Sequence, residues 1–289
     1  MHLKILAGIG LVVAIISVFA LSIIFSHNSS SEDITEVTNF IEENKIYIDN
    51  ESEIFRVFVY EKDAVITPDG QKSFRRAFFE LKQENTNLYE EIGLINQYQN
   101  TIVVIPTFTI IAYGEHGFYD YYKGECDKSC LEIPIRHDIL QKYQTSDGAT
   151  KIFKLLGYQF ITDIDIDKNP DVLKQYDKVI LLHNEYVTQK EFDAIIHHPK
   201  VIYLYPNSLY AKIEANYDLN TITLIRGHNY PQQEIKNGFN WRFDNTNFEY
   251  DSSCKNWEFY EIDNGIMLNC YPEMQIYKDK NLLKIIKDY

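Results

Sequence analysis

The stretch from Tyr176 to Pro206, YDKVILLHNEYVTQKEFDAIIHHPKVIYLYP, narrows the fold more than any other part of the chain. Lys178 to Leu182 and Val201 to Tyr205 are short apolar runs of the buried-strand type. Between them, Thr188 followed three residues later by Glu191 has the form of a capping box, and Phe192, Ile195 and Ile196 share one helical face. A strand, a helix of roughly ten residues and a second strand make a βαβ crossover, which requires the two strands to be parallel. Open α/β sheets bind ligands at the carboxyl ends of their strands. The polar run His183-Asn184-Glu185-Tyr186, just after the first strand, is therefore the first place to look for chemistry.

The amino terminus carries a second strong signal. Ile5 to Phe25 is an apolar run with no charge. As a helix it would span about 31 Å, the thickness of a bilayer core. Lys4 precedes it, and Glu32, Asp33, Glu36, Glu42 and Glu43 follow, so the positive-inside rule sends the bulk of the chain outward. The expected organisation is a cytoplasmic residue 1–4 stub, a single-pass signal anchor over 5–26, a polar acidic tether over 27–45 and an extracytoplasmic α/β domain over 46–289. A cleaved signal peptide is the rival reading, although the apolar run is longer than a usual signal core.

Cysteine usage agrees with an oxidising compartment. Cys126, Cys130, Cys254 and Cys270 form two local pairs, the expected pattern of two disulfides. A four-thiolate zinc site is the alternative, and the spacing suits it poorly. The sequons Asn28-Ser29-Ser30 and Asn50-Glu51-Ser52 are present. A net charge of −14 without any Lys/Arg cluster argues against a nucleic-acid partner. The partners that remain are the membrane, through the amino-terminal helix, and an undefined small molecule or envelope component.

Around the opening unit the pattern predicts a strand over Ile54 to Tyr60, a helix over Phe74 to Gln97 and a buried strand over Ile102 to Ile105. The long run TFTIIAYGEHGFYDYYKGECDKSC then reads as a polar, aromatic loop. A helix over Ala149 to Leu156 should end at Gly157, followed by a strand over Phe160 to Ile166. Beyond Pro206, a helix over Ser208 to Asn216 and a strand over Thr221 to Ile225 are expected. A hairpin around Asp263-Asn264-Gly265 and a closing helix over Asn281 to Asp288 complete the chain.

No GxSxG elbow, HExxH helix, P-loop or dinucleotide-binding glycine fingerprint occurs. What remains is two strand-end clusters: Tyr113, Glu115 and His116, and His183, Glu185 and Tyr186. Phenolate, carboxylate and imidazole together suit a hard metal such as ferric iron, or a base with a polarising group. The plain alternative has His183 and Glu185 capping the following helix while the tyrosines line a surface.

The segments HNEYVTQKEFDAI and YLYPNSLYAKI resemble the H-x-E-Y-W-S run and the following Asn-x-x-Tyr of the N,N-dimethylformamidase large-subunit family. TFTIIAYGEHGFYDYY is similar to the Thr-x-x-Ala-Tyr-Asn segment of that family's carboxyl-terminal domain. The resemblance covers roughly residues 100–215, with Gly114 where the family has Asn and Val187 where it has Trp. It implies a doubly wound, mainly parallel sheet similar to the class I glutamine amidotransferases, without their cysteine nucleophile. It also implies a metal-dependent amidohydrolase, whose characterised member holds a mononuclear iron on two tyrosines and a glutamate. By motif, Tyr113 is one tyrosine ligand and Glu185 the carboxylate, with His183 a catalytic residue beside them. The second tyrosine has no matching motif, and Tyr60 is a candidate only by its place on an upstream strand. A non-catalytic envelope protein that uses these loops for binding is the competing function.

Overall fold

The computed structural model describes residues 44–289, apart from 49, 75 and 137–144. The expected cytoplasmic stub, the membrane-spanning segment over 5–26 and nearly all of the tether lie outside the described residues. Among the described residues, no helix is long and apolar enough to cross a membrane. Contacts divide the chain into two units, one within Met1–Tyr47 and Val59–Arg75, the other Ile48–Phe58 with Arg76–Tyr289.

In the smaller unit, Ala64–Ile66 and Lys72–Phe74 pair antiparallel around the turn at Pro68-Asp69-Gly70. Gly70 takes φ +80 there, a conformation that side chains oppose.

The larger unit is built on a six-stranded sheet. Its spatial order is Gln159–Thr162, Thr101–Ile105, Lys178–Leu181, Val201–Tyr203, Gly265–Leu268 and Phe259–Ile262. The first five run parallel, and Phe259–Ile262 closes one edge antiparallel to Gly265–Leu268. The opening crossover is present, with Val201 level with Val179 and the helix Gln189–Ile196 between the two strands. Thr188 Oγ1 accepts from the Glu191 amide at 3.2 Å, but the Glu191 carboxylate does not return the bond, so half of the capping box forms. Gly265 is required where it stands, since a Cβ there would lie 1.9 Å from the Val201 carbonyl oxygen.

The doubly wound, mainly parallel sheet of amidotransferase type does not describe this fold. The protein is mixed α/β with four sheets among the described residues, and each of them contains an antiparallel pair. A second sheet in the larger unit pairs Tyr186–Thr188 parallel to Ala211–Asn216, which runs antiparallel to Thr221–Arg226 and so to Glu132–Pro134. Ala211–Asn216 was expected to be helical. Its alternating burial, with Ala211 and Ile213 inward, and the left-handed Asn220 in the following turn make it a hairpin arm instead.

Other segments differ for similarly local reasons. Phe78–Leu81 is a strand rather than part of a long helix, because Phe79 packs opposite Val57 and Phe78 stacks on Phe58 at 5.6 Å. The helix there is only Thr86–Ile92. The expected loop after Pro106 is two helices, Thr107–Tyr113 and Phe118–Tyr122. Its residues Thr107 to Ala112 are all buried, and a buried backbone must satisfy its own amides and carbonyls. After the strand Gln159–Thr162, a complete capping box between Thr162 and Asp165 starts the helix Asp163–Lys168 where a longer strand was expected. The helix Asp147–Leu155, with Gly157 at φ +84 behind it, and the hairpin of Phe259–Ile262 with Gly265–Leu268 match the sequence pattern. Cys126–Cys130 and Cys254–Cys270 are disulfide-bonded, with Cα atoms 6.1 and 5.2 Å apart.

Candidate functional site

Strand order places Thr101–Ile105 beside Lys178–Leu181, while the chain leaves the first of them for Gln159–Thr162 on the opposite side. The crevice at such a switch in strand order is where open α/β sheets take up ligands. The helix Thr107–Tyr113 follows one of these strands and the His183–Glu185 loop follows the other. Thr109 Oγ1 locks them together by accepting from the Glu185 and Tyr186 amides at 3.0 and 3.1 Å.

That lock brings Tyr113 and Glu185 into contact. The Tyr113 hydroxyl donates to Glu185 Oε2 at 2.7 Å. His228 Nε2 donates to the other carboxylate oxygen at 2.5 Å. His183 Nε2 lies 3.6 Å from Oε2. Glu185 is fully buried and His183 nearly so. Burial pushes the Glu185 carboxyl up, but the His228 hydrogen bond, the charges of His228 and His183 and the Tyr113 bond outweigh it and hold the group low. Burial lowers His183, against the pull of Glu185. Burial, followed by the Glu185 charge, keeps Tyr113 protonated.

Tyrosines enclose this cluster. Tyr119 lies 4.3 Å from Tyr113 between ring centres, and the two hydroxyls interact. His228 stacks on Tyr186 at 5.4 Å and meets Tyr122 and Tyr210 at 5.1 and 4.7 Å. His228 and Asn229 take φ 52 and 65, left-handed values that non-glycine residues hold at a cost of about 1–2 kcal/mol each. The reciprocal hydrogen bonds between Gly227 and Tyr230, both 2.9 Å, hold that turn closed.

The structure therefore brings Tyr113, His183 and Glu185 to one point. It leaves Glu115 and His116 out, their side chains 83% and 80% exposed. Tyr60 belongs to the smaller unit, and the tyrosine at Tyr113 is Tyr119. Reasoning from sequence missed His228 because it comes 43 residues after Glu185 in a turn-rich region with no spacing rule. The only local sign was the turn-forming run Gly227-His228-Asn229.

As a donor set, one phenol, one carboxylate and two imidazoles suit a hard or borderline ion such as iron. Neither ring nitrogen of the buried His183 has a hydrogen-bond partner, which leaves both free for a ligand. Among the described residues, no three His, Cys, Asp or Glu side chains are grouped so as to hold a metal. Any metal site here needs a tyrosine oxygen.

No protein-family model matches the chain. Over 145 residues it is 28% identical to the ATP-dependent DNA helicase Hel308 of Thermoplasma acidophilum, a match covering 46% of this chain and 19% of the helicase. The chain thus spans about a fifth of that protein's length.

Proposed function

We propose that the Tyr113–Glu185–His228 cluster is the centre of a metal-dependent amidohydrolase that cleaves an amide-like bond. The 2.7 Å contact between the Tyr113 hydroxyl and the fully buried Glu185 carboxylate supports the reading most directly, since ligands of one ion must approach that closely. The dimethylformamidase-like motifs name the same two residues. Tyr113 and Glu185 would hold the ion, with Tyr119, His183 or His228 completing its shell. A metal so held supplies a polarised carbonyl and an acidified water. Glu185 fixes the orientation of His228. His183, whose hold on a proton burial weakens and the Glu185 carboxylate strengthens, can take up or pass on a proton at Nε2. The surrounding tyrosine rings exclude bulk water. The two disulfides support an extracytoplasmic setting.

One observation favours the competing, non-catalytic reading. Both Glu185 oxygens already accept bonds, so the cluster is satisfied without an ion. Metal analysis of the purified full-length chain decides between the two. Bound iron near one equivalent, lost in Tyr113→Phe and Glu185→Gln, is the expected result. A folded wild-type protein that takes up no iron or zinc on reconstitution overturns the enzyme reading.

A further inference from the structure

Buried polar atoms without a hydrogen-bond partner in the chain are concentrated in one layer. Seven of the eleven such atoms among the described residues belong to Thr145, Ser146, His183, Asn184 and Asn207. All five residues sit at or beyond the carboxyl edge of the six-stranded sheet, and none is more than 6% exposed. They are neighbours. The His183 ring lies 5.8 Å from Tyr205 and 5.5 Å from Tyr271. Tyr271 in turn donates to the Thr145 carbonyl. The Asn184 carbonyl accepts from the Leu209 amide at 2.9 Å, which ties its loop to the segment carrying Asn207.

At one of these residues another group makes the bond that its side chain would otherwise make. Ser146 occupies the N-cap of Asp147–Leu155, yet its hydroxyl makes no cap bond. The Glu273 carboxylate takes the Gly148 and Ala149 amides at 3.0 and 3.5 Å, so the hydroxyl is released. Asn207 stands at φ 58; its carboxamide bonds the Glu249 carboxylate, while its Oδ1 has no partner.

The chemistry of these side chains selects a ligand class. They are hydroxyls, carboxamides and an imidazole. The cations that approach Ser146's neighbour, Arg76 and Lys151, are already paired with Asp147. An anion therefore finds no free charge here. The free atoms include donors and acceptors, and a hydroxyl group is both at once. Aromatic rings, Tyr205 and Tyr271, flank them.

We infer that Thr145, Ser146, Asn184 and Asn207 form a recognition subsite beside His183 for an uncharged, hydroxylated ligand, a sugar or polyol. The inference rests on the amidohydrolase reading only for what becomes of that ligand: the scissile amide would be carried on a hydroxylated body. Binding itself does not require a metal.

Saturation-transfer NMR on the full-length chain tests it, with N-acetylglucosamine, mannitol and glycerol as probes and glucose 6-phosphate as the charged control. Transfer to at least one uncharged probe is expected, with none to the phosphate. Ser146→Ala removes only a hydroxyl, and Asn207→Gly keeps the left-handed backbone without strain. Each should weaken binding about fivefold, the effect of one neutral hydrogen bond. Glu185→Gln should keep the probe while losing any metal, which separates failure of the enzyme reading from failure of the subsite. Absence of transfer from all three probes overturns the proposal. So does unchanged binding in Ser146→Ala and Asn207→Gly, since the free atoms would then be packing defects. Loss of the probe in Glu185→Gln alone also overturns it.

Discussion

Glu273 accepts a hydrogen bond from the Gly148 amide at 3.0 Å across 125 residues of chain, and so caps the helix Asp147–Leu155 from a distance. Gly148 permits the approach, because a Cβ there would stand 2.5 Å from the carboxylate. The Tyr205 hydroxyl donates to the same carboxylate. Glu273→Ala should therefore lower stability by about 1–2 kcal/mol, the usual cost of a lost cap with an orphaned buried donor. Ser146→Ala, at the N-cap position itself, should change stability by less than about 0.5 kcal/mol or raise it. Urea titrations of both variants give the ranking, and the reverse order would show that Ser146 caps the helix.

A second group of buried carboxyls sets a pH dependence. Burial pushes Asp163 up to about 8, against the downward pull of the Phe108 and Ile164 amides. Glu191 is raised by burial and then by the charges of Asp163 and Asp167, and neither of its oxygens has a partner. In the folded chain these groups keep protons that the unfolded chain releases near pH 4. Their contribution is complete below that pH and is lost as pH rises towards 8. Glu191→Gln, neutral and nearly isosteric, should leave stability unchanged at acidic pH and raise it by on the order of 1–2 kcal/mol at mildly alkaline pH. Denaturant midpoints at two pH values measure the difference, and a pH-independent effect would contradict it.

The two disulfides should differ in worth. Cys254 and Cys270 are fully buried and separated by 16 residues, whereas Cys126 and Cys130 are separated by 4. Loop-closure entropy assigns about 3 kcal/mol to the longer link and about 2 kcal/mol to the shorter. Calorimetry of the two double Cys→Ser variants should show the larger loss of Tm for Cys254–Cys270. Mild reductant should open the half-buried Cys126–Cys130 link before the fully buried Cys254–Cys270 link, read by mass-tagging of the freed thiols.

Removing either partner of Glu185 should destabilise the protein unequally. Tyr113→Phe leaves Oε2 with only His183 nearby, a loss of about 1–2 kcal/mol. His228→Asn tolerates the left-handed backbone but strips the carboxylate of the imidazole that faces it, at about 3 kcal/mol. Urea unfolding orders them, and equal losses would contradict the ranking.

Much of the scaffold was legible because its signals are local. The crossover from Lys178 to Tyr203 follows from two apolar runs around a capped amphipathic stretch. The hairpin at Asp263-Asn264-Gly265, the stop at Gly157 and the cysteine pairing follow from turn chemistry and short spacing. Windows such as Phe74 to Leu81 and Ser208 to Asn216 were misread, since a few apolar residues fit a period of 2 nearly as well as 3.6. Pairing with Phe55–Tyr60 and Thr221–Arg226 decided them.

The candidate site divides in the same way. The motifs around Tyr113 and Glu185 are readable in the chain, and each lies at the end of a recognisable strand. That the hydroxyl meets the carboxylate depends on which strands are neighbours in the sheet. That His228 supplies the second bond depends on a turn returned to the sheet by a hairpin, and that Glu273 rather than Ser146 caps Asp147–Leu155 depends on packing from the far end of the chain. Sequence by itself determined the elements whose hydrogen bonds and apolar faces close within a few residues. Only the tertiary structure decided which distant side chains share a buried volume, because burial makes each polar atom seek a partner wherever the fold brings one.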